Sequence, residues 1–267
     1  MSVLKMPINK FKFATIDVAE AMDEYRSIGY IVIEDFLTKD MVSHVKNVIS
    51  DLHSQEVENN SACKYADNVD RIWNLVNKHI LFSDLITNSV IATLMNAIFD
   101  RDTRHQKFFL SSFQATFVRP GAKAQALHID TPVPNPLPPW EIKANTIWLL
   151  DEFTDKNGAT EVIPGSHKYG RRPVDSDIND HAGLRKVQAP AGSLIVTSGY
   201  LWHRAGANLS QVDRTALLGS FASSAFREIS SEEDIIKKSF QNINFKMSED
   251  CWMLAGGLHG IKSGFIS

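Results

Sequence analysis

The chain has 267 residues, 43% of them apolar, and 28 basic against 31 acidic side chains give a formal charge of −3. That length supports one large domain that buries most of its surface without disulfide staples. Two cysteines, Cys63 and Cys251, rule against a disulfide scaffold or an all-cysteine metal site, dispersed Lys and Arg rule against a nucleic-acid surface, and no run of about eighteen apolar residues suits a membrane span.

The N-terminal stretch Met1-Ser-Val-Leu-Lys-Met-Pro-Ile-Asn-Lys has no apolar core of a signal peptide, and the terminal Ser-Gly-Phe-Ile-Ser267 is not a peroxisomal address. A cytoplasmic protein is expected, a monomer or homodimer, whose partner is a small molecule and neither nucleic acid nor membrane.

Helical spacing of apolar residues predicts a helix over 18–28, ending at Gly29, and the β-branched run Tyr30-Ile-Val-Ile33 predicts a strand. Thr38-Lys39-Asp40 offers a capping start for a helix whose stripe is Met41, Val42, Val45, Val48, Ile49 and Leu52. Residues 54–70 are polar and read as a loop, and 80–100 read as one or two helices.

Beyond residue 105 short β-type runs alternate with turns. Strands are expected over 108–118, 143–150, 160–163, 185–188, 193–197 and 215–222. Turn signals separate them at Pro120-Gly121, Asn157-Gly158, Pro164-Gly165, Pro190 to Gly192 and Ser198-Gly199. The pattern suits an antiparallel sandwich or barrel. Residues 132–140 hold five prolines in nine positions, which excludes a central strand and predicts a stiff surface loop.

The strongest chemical signal is His128-Ile129-Asp130. Placed on a strand, the two side chains share a face and can grip one cation. Two His and one carboxylate form the ligand set of non-heme Fe(II) oxygenases. Of nine histidines, His203 is favoured as the third ligand because it follows a strand and a Gly turn, while His167 sits in a Pro-Gly turn, His181 in a polar loop, and His44 and His53 on a helix. Arg214, eleven residues after His203, suits bidentate binding of a carboxylate.

Four ordered blocks carry a family resemblance. They are Gly29-Tyr-Ile-Val-Ile-Glu-Asp-Phe-Leu37; Arg119-Pro-Gly121 through Gln125-Ala-Leu-His128-Ile-Asp130; Trp148-Leu-Leu-Asp-Glu-Phe-Thr-Asp-Lys-Asn-Gly-Ala-Thr-Glu-Val-Ile-Pro-Gly-Ser-His167; and Gly192 through Trp202-His203-Arg-Ala-Gly-Ala-Asn208 to Arg214. Together they resemble the phytanoyl-CoA dioxygenase-like family of Fe(II)/2-oxoglutarate-dependent oxygenases over almost the whole chain.

The resemblance implies an α+β, mainly β fold: a double-stranded β-helix (jelly-roll, cupin-like barrel) with flanking N-terminal helices. It implies one domain, 1–267, with mostly helical support over 1–105, a barrel core over 106–225 and a C-terminal helical or loop segment over 226–267. His128, Asp130 and His203 are the implied iron ligands and catalytic centre. Arg214 is the implied anchor for 2-oxoglutarate, with Gln125, Thr160 and Asn145 beside that co-substrate, and O2 is the second co-substrate.

Some members carry Ser two residues after the distal His; here it is Ala205, which thins the expected anchoring network. Asp130 is retained, which disfavours halogenation. Trp140, at the end of the proline-rich segment, and Trp148 are the aromatic candidates for substrate contact, with core packing the competing role for Trp148. The proline-rich loop, Pro132 to Trp140, is read as either a lid that closes over the site or a rigid spacer joining two strands.

Such an enzyme oxidises, most simply hydroxylates, a metabolite; desaturation, cyclisation, epimerisation, demethylation, bond cleavage and acyl-CoA hydroxylation use the same cofactors. A metabolite-binding barrel without catalysis is the rival from another class. Lys143, Lys168, Arg171 and Arg172 form the best basic cluster, too sparse to favour a CoA ester. A small natural product or polar metabolite is therefore the expected substrate.

Overall fold

Asp17 starts the first helix: its carboxylate accepts from the backbone N–H groups of Ala19 and Glu20, satisfying two donors that have no intrahelical partner. In the computed structural model, which describes residues 10–101, 107–179 and 182–224, α1 (Val18–Ile28) ends at Gly29 with φ 89°. A Cβ at Gly29 would lie 2.6 Å from His167 Nδ1 and 2.9 Å from Leu201, so the backbone angle and the close approach both demand glycine. The expectations for His181, Cys251 and the segment 226–267 lie outside the described residues.

β1 (Lys10–Lys12) runs parallel to β2 (Tyr30–Glu34), which is buried except at Glu34. Thr38 caps α2 (Lys39–Glu58) by accepting from Met41 N, and Val42, Val45 and Ile49 form its buried stripe. Asn88 caps the second of two shorter helices, α3 (Ile80–Ile86) and α4 (Ser89–Ile98), through Val90 N. Those two helices meet at 49°, and no single helix among the described residues is long and apolar enough to cross a membrane.

The stretch 54–70 corrects the loop expectation. Helix α2 runs to Glu58, and β3 (Cys63–Ala66) and β4 (Val69–Ile72) form an antiparallel hairpin. Its turn is made by Asn68 at φ 60°, a conformation Asn tolerates better than most residues. The strands are short, and β3 is half-buried at Cys63 and exposed over Lys64–Ala66, so they lack the apolar alternation that marks a strand.

The remaining strands are β5 (Phe108–Val118), β6 (Lys143–Leu149), β7 (Thr160–Val162), β8 (Arg185–Lys186), β9 (Leu194–Ser198), β10 (His203–Ala205) and β11 (Arg214–Ser223), with a short α5 (Asp175–Asn179) before β8. Eight strands form one sheet in the order β1-β2-β9-β6-β11-β5-β4-β3, antiparallel except at β1–β2. A second antiparallel sheet has the order β10-β7-β8.

The large sheet has two unlike faces. Phe113, Ala115, Ala144, Trp148, Val196, Leu217 and Phe221 join Val45, Ile49, Phe82 and Leu94 of the helices in one apolar core. Intervening strand residues, among them Gln114, Thr116, Asn145, Thr197 and Ser220, instead line a polar cavity shared with the small sheet.

Candidate metal centre

The cavity has a volume of about 670 Å³ and draws walls from β3, β4, β5, β6, β7, β9, β10 and β11. His128 and His203 enter it as a backbone pair. His128 N donates to His203 O at 3.0 Å and His203 N to His128 O at 3.0 Å, which holds the ring centroids 4.5 Å apart. Asp130 joins them by turning its N–H onto Gly199 O at 3.1 Å. A Cβ at Gly199 would fall 2.6 Å from Thr131 Oγ1 and from the Lys143 backbone oxygen, so the turn that seats Asp130 has room only for glycine.

The His-x-Asp pair was expected on a regular strand. His128 makes only an isolated bridge to His203, and Asp130 lies outside any strand. Long-range backbone pairing, not strand alternation, gathers the ligands.

One ligand atom each from His128, Asp130 and His203 lies within 4.8 Å of the other two. His203 Nε2 is 3.2 Å from Asp130 Oδ2, and His128 Nε2 is 3.6 Å from Oδ1. The other ring nitrogens point to backbone carbonyls: His128 Nδ1 to Ala126 O at 2.8 Å and His203 Nδ1 to Leu201 O at 2.9 Å. A carbonyl only accepts, so each Nδ1 donates there, which turns Nε2 of each ring toward Asp130 as the atom a cation would take on displacing any proton it carries.

Burial opposes ionisation of Asp130, yet the neighbouring His203 and His128 charges and the His203 hydrogen bond hold its carboxyl well below the usual carboxylate range. For His203 burial pulls the pKa down, but the Asp130 charge and hydrogen bond outweigh it and the net shift is upward. Burial, reinforced by the His203 charge, lowers His128.

Arg214 begins β11 and is 3% exposed. Its Nη2 donates to Gly158 O at 2.7 Å, its guanidinium centre lies 4.5 Å from the Phe153 ring, and Nε has no partner among the described residues. Burial pulls its pKa down to about 10, with Asp151 opposing, so it remains a cation at neutral pH.

Gln125, Asn145 and Thr160 line the same cavity. Gln125 Oε1 accepts from Ala205 N at 3.0 Å and Gln125 N donates to Ala205 O at 3.0 Å. Thr160 pairs with Ala205 across β7 and β10. Asn145 Nδ2 donates to Asp130 Oδ2 at 2.8 Å.

The two tryptophans go elsewhere. Trp148 is 1% exposed in the core, stacks edge-on with Phe36, and donates from Nε1 to Thr146 Oγ1. Trp140 is 47% exposed and, with Leu137, Pro138 and Pro139, lines a second cavity with Met22, Tyr25 and Tyr200. No residue of 132–140 lines the cavity of the triad. The segment is fastened instead: Leu137 N donates to Gly170 O, and Arg172 donates to Val133 O and Thr131 O. Turning away after Thr131, it does not cover the triad as the lid expectation required.

The basic cluster is dispersed as well, with Arg171 paired to Asp177 and Arg172 bound to backbone carbonyls.

Sequence reasoning missed Arg71. On β4, it lines the triad's cavity with its guanidinium centre 3.3 Å from the Tyr65 ring centroid and 5.4 Å from that of Trp73. Its Nη1 donates to Gln114 Oε1 at 3.4 Å, and Nε has no partner among the described residues. Burial lowers its pKa. The available signal was the Arg71/Trp73 spacing at the end of β4, but the preceding segment reads as loop.

The model of the phytanoyl-CoA dioxygenase (PhyH) family matches residues 25–216. A relative described as Dioxygenase af480, from Aspergillus fumigatus, is 28% identical over 220 residues, covering 78% of this chain and 68% of its own. EctD from S. alaskensis, crystallised with bound Fe, superposes with a TM-score of 0.64 at 18% identity, covering 81% of this chain and 80% of its own. HygX from Streptomyces hygroscopicus, crystallised with nickel, 2-oxoglutarate and hygromycin B, gives 0.63 at 13% identity, covering 78% and 88%. These two structures are similar in fold.

Proposed function

The chain belongs to the phytanoyl-CoA dioxygenase family, and from that premise we propose that it is an Fe(II)- and 2-oxoglutarate-dependent oxygenase that hydroxylates a small, polar metabolite. His128, Asp130 and His203 would hold the iron. Arg214 would take the far carboxylate of 2-oxoglutarate, with Gln125 and Thr160 alongside. The fold is read as a double-stranded β-helix within one domain, its core spanning 106–225.

The observation that carries this reading is the convergence of three ligand atoms, one each from His128, Asp130 and His203, within 4.8 Å of one another. Each Nδ1 faces a backbone carbonyl, which leaves each Nε2 on the side of the Asp130 carboxylate. Two imidazoles and one carboxylate suit a divalent cation, which displaces any proton on Nε2. A second feature fits the co-substrate. A dicarboxylate has two anionic ends, and the cavity holds two guanidinium groups, half-buried Arg71 and buried Arg214, each with an Nε that has no partner among the described residues.

Bound there, iron and 2-oxoglutarate supply the O2 activation that oxidises a substrate C–H bond. The chain's own work is positional. Arg214, fixed by Gly158 O and the Phe153 ring, offers a rigid fork for one carboxylate. Backbone pairing of His128 with His203 sets the ligand spacing before any ion arrives. The polar wall of Gln114, Thr116, Thr197 and Ser220 favours a substrate with hydroxyl or amide groups over a hydrocarbon chain. HygX and EctD, crystallised with hygromycin B and 5-hydroxyectoine, support a polar substrate by analogy.

The test is a screen of metabolite extracts for iron-dependent release of succinate from 2-oxoglutarate. Turnover stimulated by a polar fraction and abolished in Asp130→Ala supports the reading. Turnover that persists in Asp130→Ala contradicts it.

A further inference from the structure

The three triad residues are not held equally. Each imidazole is fixed by the His128–His203 backbone bridge and by its own Nδ1 contact to a carbonyl. Asp130 has no strand pairing, and its backbone bond to Gly199 O leaves the carboxylate free to rotate about Cβ–Cγ. Two groups touch that carboxylate at Oδ2: His203 Nε2 at 3.2 Å and Asn145 Nδ2 at 2.8 Å. The His203 contact uses Nε2, the very atom a metal would take, whereas the Asn145 amide is outside the ligand set and is placed to hold Oδ2 beside a bound ion.

Asn145 is well placed for this. It sits in mid-β6, paired with Thr197 on β9 and Ser220 on β11, and is 9% exposed. A residue flanked by paired strands on both sides is held in place by the sheet.

We infer that Asn145 is a positioning residue for the metal carboxylate: its amide, donating to Oδ2, sets the orientation in which Asp130 meets the ion. This rests on the proposed Fe(II) site, and it gives Asn145 a role different from the co-substrate contact expected by resemblance. Partners that orient a metal ligand are worth about 10- to 100-fold in metal affinity.

The experiment is a Co(II) titration of the purified full chain without co-substrate or turnover, followed by the visible absorption of the bound ion. Wild type is compared with Asn145→Leu, close in shape but without a donor, with Asn145→Ala, and with His128→Ala. Wild type is expected to bind one Co(II). Both Asn145 variants are expected to bind it about 10- to 100-fold more weakly, with the same altered band pattern, although their packing defects differ. If either folded variant binds Co(II) within threefold of wild type with an unchanged spectrum, the inference is overturned. If wild type binds no Co(II), or His128→Ala binds it equally well, the metal site itself is wrong and the inference falls with it.

Discussion

The two faces of the large sheet are made by alternate residues of the same strands, yet they obey different rules. On β6, Ala144 and Trp148 face the helices while Lys143 and Asn145 face the cavity; on β11, Leu217 and Phe221 face the helices while Arg214 and Ser220 face the cavity. The helix face is sealed, apolar and close-packed. The cavity face keeps buried polar groups, two of them guanidinium nitrogens without partners among the described residues. Buried polar groups left unpaired cost stability, so the second face trades stability for binding capacity. One face determines that the chain folds, the other what it binds, and substitutions on the two should separate those properties.

The sharpest separation comes from Asp130→Ala, which should take iron content from one per chain to near zero and abolish turnover, while the metal-free protein stays folded; metal analysis and circular dichroism check this. Trp148→Ala on the other face should cost about 3–5 kcal/mol of stability, read as a lowered denaturation midpoint, with iron stoichiometry kept in the fraction that folds. Arg214→Ala should cost about 2–5 kcal/mol in co-substrate binding, a rise in KM for 2-oxoglutarate of about 30-fold or more, with iron affinity little changed. A change below threefold would place the dicarboxylate elsewhere, and Arg71 would be tested next.

Acidity sharpens the comparison because the cavity face carries the titrating triad. In the metal-free protein, His203 has a folded pKa above its ordinary 6.5, so its stabilising contribution is complete below 6.5 and is lost as pH rises through the raised value. Asp130 has a folded pKa below its ordinary 3.8, so its contribution is present above 3.8 and is lost as pH falls through the depressed value. The thermal midpoint of metal-free wild type, relative to Asp130→Asn, should therefore peak between those two pH values. Metal affinity should run the other way, rising with pH through the raised His203 value, because the cation must displace its proton.

The smallest expected effect is at Trp140. The structure sets it in a different cavity, so Trp140→Ala should leave the KM for 2-oxoglutarate and iron binding within twofold of wild type in steady-state assays.

The helix face was largely legible in the sequence. The helix over Val18–Ile28 and the strand over Phe108–Val118 emerge with their boundaries, because periodic burial of large apolar residues is a strong local signal. The β3–β4 hairpin was not legible, since both strands are short and the edge strand β3 is mostly exposed, and Arg71 was lost with it. His128, Asp130, His203 and Arg214 were legible as residue types at particular spacings. What holds them was not. The His128–His203 bridge, the Gly199 turn and the Asn145 bond to Asp130 are long-range pairings with no local pattern. The proline-rich segment allowed a lid reading from its distance to Asp130 along the chain, but its direction depends on Gly170 and Arg172, far away in sequence.

Anaerobic calorimetric titration of 2-oxoglutarate into Fe(II)-loaded wild type, metal-free wild type, Asp130→Ala and Arg214→Ala asks whether one cavity holds both the metal and 2-oxoglutarate. A shared cavity gives one molecule bound per chain in the loaded protein, loss of that binding without metal or in Asp130→Ala, and about 30-fold weaker binding in Arg214→Ala. Equal affinity in all four samples would contradict it.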